Sequence, residues 1–177
     1  MYLSKVANFA IALALAISCA RSWAQASIPH TQGTTLAGNV VTLPDAVKGK
    51  VGVLIVGFSH ASQGQVEAWG RRLSVDYGRS SGVVHFDVPM LAGAPKILRG
   101  LILKRISSSV PTAEQRNFLP LTENEAAWRS VAHYGKPDDA YVLVIDGTGN
   151  ILWQTEGDAT DSAYCALQQN LQRPSTH

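Results

Sequence analysis

Val51-Gly52-Val53-Leu54-Ile55-Val56-Gly57-Phe58, followed after a short turn by Ser62-Gln63-Gly64-Gln65-Val66, is the stretch on which the fold turns. An apolar run of this length without alternation describes a strand covered on both faces, so it belongs at the centre of a sheet. A helix opens near Ser62, because Ser62 and Gln65 have the spacing of a capping box, in which hydroxyl and carboxamide satisfy unpaired amides. Val66, Trp69, Leu73 and Tyr77 then recur at intervals of three and four, forming one apolar stripe, and Gly78 lies near the helix end.

Outward from this core, Gly82-Val83-Val84-His85-Phe86-Asp87-Val88 is a second apolar strand. Two such strands joined by one helix make a right-handed βαβ unit. On the other side, Asn39 to Leu43 reads as a short strand ended by Pro44-Asp45, and Lys48-Gly49-Lys50 as a turn. Residues 27–38 are polar with Pro29 and Gly33, which predicts an extended leader with little core of its own.

The region 90–120 is an insertion. Its segment Pro95 to Ile106 has the pattern of a basic amphipathic helix that turns Ile97, Leu98, Leu101 and Ile102 inward and leaves Lys96, Arg99, Lys104 and Arg105 outside. Ser107 to Pro111 breaks it. A further helix starts near Thr122, whose spacing to Glu125 is another capping-box match, with Trp128 and Val131 on its inner face. Tyr141 to Ile145 is a third buried strand, Asp146 to Asn150 a tight turn, and Ile151 to Gln154 the returning strand of a hairpin. A helix from about Asp158 to Gln172 closes the chain, with Tyr164, Leu167 and Leu171 as its stripe and Cys165 beside it, where burial is expected.

The order β, β, α, β, helical insertion, β, β, α describes an α/β protein with a central mixed sheet flanked by helices. It resembles the thioredoxin fold, in the redoxin-like branch that carries an insertion between its βαβ and ββα halves. Within that branch, Val53 to Trp69 and the pattern Tyr-Val-Leu-Val-Ile-Asp-x-x-Gly-x-Ile-x-Trp-x-x-x-Gly over 141–157 resemble the thioredoxin-like family that includes the mitochondrial assembly factor for the ATP synthase membrane sector. Exported bacterial relatives belong to the same family. The resemblance implies one domain over residues 39–173 and an assembly or chaperone-like role.

Composition bounds the setting. Lys5, the apolar run Phe9 to Ile17 and Ala24-Gln25-Ala26 have the form of a signal peptide over residues 1–26, so an exported protein, periplasmic or secreted, is expected. Lipidation at Cys19 is the lesser variant, since Ala16-Ile17-Ser18-Cys19 matches a lipobox only loosely. Removal of those residues takes away Lys5 and Arg21 and leaves 13 basic and 13 acidic groups. A neutral domain argues against a nucleic-acid partner, which calls for a basic face. It would also leave Cys165 as the one thiol, unable to form an internal disulfide.

In redox-active relatives of this fold a Cys-x-x-Cys occupies the first helical turn, where unpaired amides and the helix dipole stabilise a thiolate. Counted from Phe58, the two cysteine positions here are Gln63 and Val66. Thiol exchange needs a thiolate nucleophile, so this site is degenerate. The cis-proline that this fold sets before its third core strand is also missing: its place falls near Ala140, and Pro137 comes three residues too early. A copper centre from His60, His85 and His133 lacks sulfur ligands beyond Met90 and Cys165, and ordinary loop or packed histidines account for all three. Hydrolysis through Ser59 or Ser62 with His60 and Asp87 lacks a nucleophile elbow.

No cofactor, metal or catalytic residue is therefore expected. The sequence reads as a non-catalytic binding or assembly factor of the cell envelope, with a protein partner. Its candidate surfaces are the helix mouth, with Ser59, His60, Ser62 and Gln65, and the basic insertion, with Lys96, Arg99, Lys104 and Arg105. The insertion is read first as a solvated face and second as a contact with an anionic partner or membrane surface. The alternative function is an enzyme: a redoxin-type thiol oxidoreductase or peroxidase whose chemistry has moved to Cys165, or a metal-dependent activity using His60.

Overall fold

A computed structural model of the chain describes residues 26–78 and 82–172. The signal peptide expected over 1–26 and Cys19 within it lie outside the described residues, Ala26 excepted. Strands β1 (Thr31–Thr34), β2 (Val40–Leu43), β3 (Val51–Gly57), β4 (Val83–Pro89), β5 (Ala140–Ile145) and β6 (Ile151–Glu156) are joined with helices α1 (Gln63–Tyr77), α2 (Lys96–Ser109), α3 (Glu125–Val131) and α4 (Asp161–Leu171). Four strands form a mixed sheet in the order β4-β3-β5-β6, with β4 parallel to β3 and the other pairs antiparallel. β1 and β2 form a separate antiparallel hairpin.

The uninterrupted apolar run of β3 has the predicted cause. Val53 and Ile55 face Trp69 and Leu73 of α1 and Leu167 of α4, while Leu54 and Val56 face a second cluster with Leu43, Leu119, Leu121 and Trp128. Gly57 ends β3 because a Cβ there would come within 2.8 Å of Ser62 Oγ and 3.0 Å of Val66, so its absence lets the start of α1 close onto the strand. Trp69 is fully buried, and its indole donates to Gly157 O at 2.9 Å, tying α1 to the far end of β6.

Several details depart from the expectations. Residues 27–38 are more than a leader: they carry β1, bury Ile28 and Thr31, and set Gly33 against Leu119 and Leu121. Thr31 Oγ1 accepts from the buried Trp128 indole at 3.2 Å, a pairing 97 residues apart that local patterning does not carry. The insertion helix α2 runs through Ser107 and Ser108 to Ser109, and the chain then returns to lie beside β4 through bridges at Phe118 and Leu121. α3 begins at Glu125 after Asn124 in the left-handed region, and Glu125 pairs with Arg129 instead of closing a cap with Thr122. α4 starts three residues later than predicted, at a true Thr160 cap that accepts from Ala163 N at 3.2 Å.

β4 carries two polar residues toward α1. His85 is buried, and its Nε2 lies in hydrogen-bond contact with Asn117 Nδ2 at 3.0 Å and Ser74 Oγ at 3.2 Å. Burial, with Arg116 adding, holds its pKa down to about 4. Asp87 lies opposite Gly70 of α1, where a Cβ would fall 2.6 Å from both carboxylate oxygens. Its Oδ1 is buried without a hydrogen-bond partner. Burial above all, then the charges of Glu114 and Glu67, push its pKa up to about 8.

These two shifts act on stability with opposite sign. Folded Asp87 retains a proton that the unfolded chain loses near pH 4, so stability falls as pH rises from about 4 to about 8. Folded His85 stays neutral where the unfolded chain is protonated, so stability rises with pH from about 4 to about 6.5. The two slopes cancel up to about pH 6.5, and above it Asp87 acts alone. Urea unfolding of the wild type is expected to give a flat pH profile between about 4 and 6.5 and a loss of about 2 kcal/mol by pH 8. Asp87→Asn is expected to abolish that loss, whatever its effect on absolute stability.

Candidate functional site

The mouth of α1 holds the quartet that replaces a redox dithiol, and each of its side chains has a structural occupation. Val66 is buried against β3 and β5. Gln63 donates from Nε2 to Glu67 Oε1 at 2.8 Å. Gln65 does not close a cap with Ser62: its Oε1 accepts from the backbone N–H of Ala140 at 2.8 Å, across the cleft between α1 and β5. Ser62 is wholly buried and donates from Oγ to Ser59 O at 2.9 Å, while its amide donates to Ser59 Oγ at 3.2 Å. Both serines are thus spent on a tight turn, and neither has a histidine partner among its hydrogen bonds. At the place where this fold sets a cis-proline stands Ala140, whose N–H is the donor to that glutamine.

Beside this mouth lies a cleft of about 760 Å³. Its floor is Gly57, Phe58, Val66, Pro89 and Met90, its far wall Leu98, Leu101, Ile102 and Ile106 of α2, and His60, Gln63, Arg105 and Arg129 stand along it. The lining is mostly carbon, a surface suited to an apolar ligand or side chains. One edge is rigid: Phe58 meets Tyr134 and Tyr141 edge to face at 5.0 and 5.6 Å. The Arg129 guanidinium lies 3.9 Å from the Tyr134 ring centre and is clamped by Glu125 Oε1 at 2.7 Å. That contact with Glu125 raises the Arg129 pKa and keeps the cation in place.

The opposite wall is held differently. α2 buries none of its side chains, so the inward packing expected of Ile97, Leu98, Leu101 and Ile102 is corrected: Ile97 is 91% exposed, Leu101 59% and Leu98 45%, and Ile102 half-buried at the cleft. What holds the helix is polar. Arg99 donates from Nε to Ala94 O at 3.0 Å and from Nη2 to Ala92 O at 2.7 Å, and Gln115 donates to the carbonyls of Ser107 and Val110, both at 3.1 Å. Arg99 is therefore an anchor rather than a free surface cation, while Lys96, Lys104 and Arg105 are exposed.

The remaining candidates do not converge. His60 is exposed at the cleft, His85 is buried on β4, and His133 pairs through Nδ1 with Gln154. Among the described residues no group of three or more His, Cys, Asp or Glu could hold a metal ion. Cys165 is exposed, which corrects its expected burial: one residue after Tyr164, it is turned about 100° away from the α4 stripe. It lies outside the cleft lining. Sequence reasoning missed the clamped Arg129 at the cleft, and it weighed Asp87 only as a catalytic acid, whereas the structure buries it against Gly70 outside the cleft lining. An acid inside an apolar strand was a legible signal for Asp87, whereas the ring contacts of Arg129 exist only in three dimensions.

The family model described as "ATP10 protein" matches residues 17–173, most of the chain. The chain belongs to the ATP10 family. A curated ATP10 relative, the mitochondrial ATPase complex subunit of Eremothecium gossypii, is 26% identical over 142 residues, covering 74% of this chain and 50% of the relative. The chain thus spans about half the length of the curated relative it matches. Among solved structures, the thioredoxin domain of a thiol-disulfide oxidoreductase from Bacteroides vulgatus superposes with a TM-score of 0.57 at 15% identity, covering 83% of this chain and 96% of that one. An uncharacterized conserved protein from Geobacillus kaustophilus gives 0.58 at 17% identity, covering 86% of each. At those identities the likeness shows the thioredoxin-like fold, as the strand order requires.

The ATP10 relative corrects the expected localisation. It is a mitochondrial protein, and it points to a mitochondrial location in place of the periplasmic, secreted or lipidated one read from the N-terminus. Composition misled there because a basic, acid-free N-terminal stretch is common to export signals and mitochondrial transit peptides.

The Gln65 contact carries a stability prediction. Ala140 is buried, so Gln65→Ala leaves its amide without a partner, and a loss of about 1–3 kcal/mol is expected in urea unfolding. Gln65→Glu keeps an acceptor oxygen and is expected to lose less.

Proposed function

We propose that this ATP10-family chain is an accessory factor that works by binding, holding a partner protein in the cleft between the α1 mouth and α2 during assembly of an ATP synthase, in the mitochondrial setting of its relative. The observation that carries this reading is the cleft itself: about 760 Å³ of mostly apolar lining at the place where the fold presents its reaction centre, with Gln63 and Val66 where a dithiol would stand. The family supports the assembly role, since the curated relative is an ATPase complex subunit. Apolar walls with His60 and Arg105 beside them suit the side chains of a protein segment, which the Phe58 edge orients and α2, held at its ends and burying no side chain, adjusts to.

A photo-crosslinking amino acid in place of Ile102 or His60, both at the cleft, is expected to capture a subunit of the ATP synthase membrane sector. The same group at Val75, which is 80% exposed on α1 away from the cleft, is expected to capture none. Equal capture from both places, or capture from neither, would overturn the binding site. Insulin reduction by the wild type that disappears in Cys165→Ser would instead establish thiol chemistry.

A further inference from the structure

From Val88 to Ala113 the chain has four cations, Lys96, Arg99, Lys104 and Arg105, and no acidic residue. Within this segment α2 stands out from the body with three large apolar side chains in water. At 100° per residue, Lys104, Ile97, Leu101 and Arg105 fall within about 100° of arc, so cations and apolar groups share one exposed face. Arg99 points elsewhere and is consumed by the Ala92 and Ala94 carbonyls. Exposed apolar groups in contiguity mark a contact surface.

The composition of this face distinguishes between occupants. Protein interfaces are depleted in lysine at their cores, whereas interfacial helices combine Lys and Arg with large apolar residues and lie along a bilayer. The absence of any carboxylate on α2 itself complements phosphate headgroups, where each cation contributes about 1 kcal/mol. At 14 residues α2 is too short to cross a bilayer, which takes about 20, so the geometry available to it is parallel to the surface.

We propose that the exposed face of α2 docks on an anionic lipid surface. Ile97, Leu101 and Leu98 enter the boundary between headgroups and acyl chains, and Lys96, Lys104 and Arg105 pair with lipid phosphates. Because Leu98 and Leu101 also line the cleft, docking sets the cleft mouth against the membrane. The docking face shares Leu98, Leu101 and Arg105 with the cleft of the proposed function, and the vesicle test, run without a partner protein, reads lipid contact alone.

The test is flotation of the full chain with phosphatidylcholine vesicles, alone or mixed with phosphatidylserine, together with hydrogen exchange in their presence. Tighter binding to the mixed vesicles is expected, with residues 96–109 exchanging more slowly when bound. Lys104→Gln and Arg105→Gln are each expected to weaken binding about five-fold, and Ile97→Ser about ten-fold or more. These side chains are exposed, so unchanged circular dichroism melts establish that the variants fold. Equal affinity for both vesicle types, variants that bind like the wild type, or slowed exchange confined to other segments would overturn the proposal. A face covered by protein instead would show no vesicle-dependent protection.

Discussion

Strand β3 is hydrogen-bonded along both edges, to β4 in parallel and to β5 in antiparallel, and both of its faces are sealed by apolar side chains. A strand in that position leaves no freedom to its neighbours. α1 must cover one face, the β1–β2 hairpin with α3 and the 117–121 segment must cover the other, and the end of β3 must deliver the α1 mouth to the edge of the sheet. At Gly57 and Gly70 α1 and the sheet approach closely, and a methyl group would meet Ser62 and Val66 in one case and the Asp87 carboxylate in the other. The cost of this tight docking is visible at Asp87, a buried carboxyl with one oxygen unpaired that is kept protonated at neutral pH by its surroundings.

The same geometry that positions a nucleophile in thiol-disulfide relatives here positions a glutamine. A helix N-terminus stabilises negative charge, but without sulfur there is no thiolate to stabilise. Gln65 instead reaches across to the first amide of β5, and the two elements that would admit a substrate between them are joined by a hydrogen bond. The open space lies sideways of it, between the mouth and α2. That space has one wall fixed by ring contacts and an ion pair, and another fixed by four hydrogen bonds to carbonyls at the helix ends. Such an asymmetric cleft can adjust to an occupant by moving one wall.

Helix α2 is where pattern and packing diverge most. Its apolar residues recur at helical spacing, which in an ordinary surface helix means a core-facing stripe. Among the described residues no surface packs opposite them, because the returning chain at 117–121 fills the space beside β4 and the cleft separates α2 from α1. Periodicity reports that a helix has an apolar side; it does not report what that side meets.

The sequence by itself determined the long elements and their kinds: the doubly buried β3, the stripe of α1 through Trp69, the hairpin around Asp146, and the loss of both cysteine positions at Gln63 and Val66. Those features are local, since they rest on residue type, spacing and the absence of an atom that the chemistry requires. Only the tertiary structure decided the rest. The capping boxes at Ser62 and Thr122 do not form because their members are bonded elsewhere: Ser62 to the Ser59 carbonyl, Gln65 to the Ala140 amide and Glu125 to Arg129. Cys165 came out exposed and Arg99 came out bound because a position at the border of a helical stripe is settled by what packs there, and that depends on contacts many residues away in the chain.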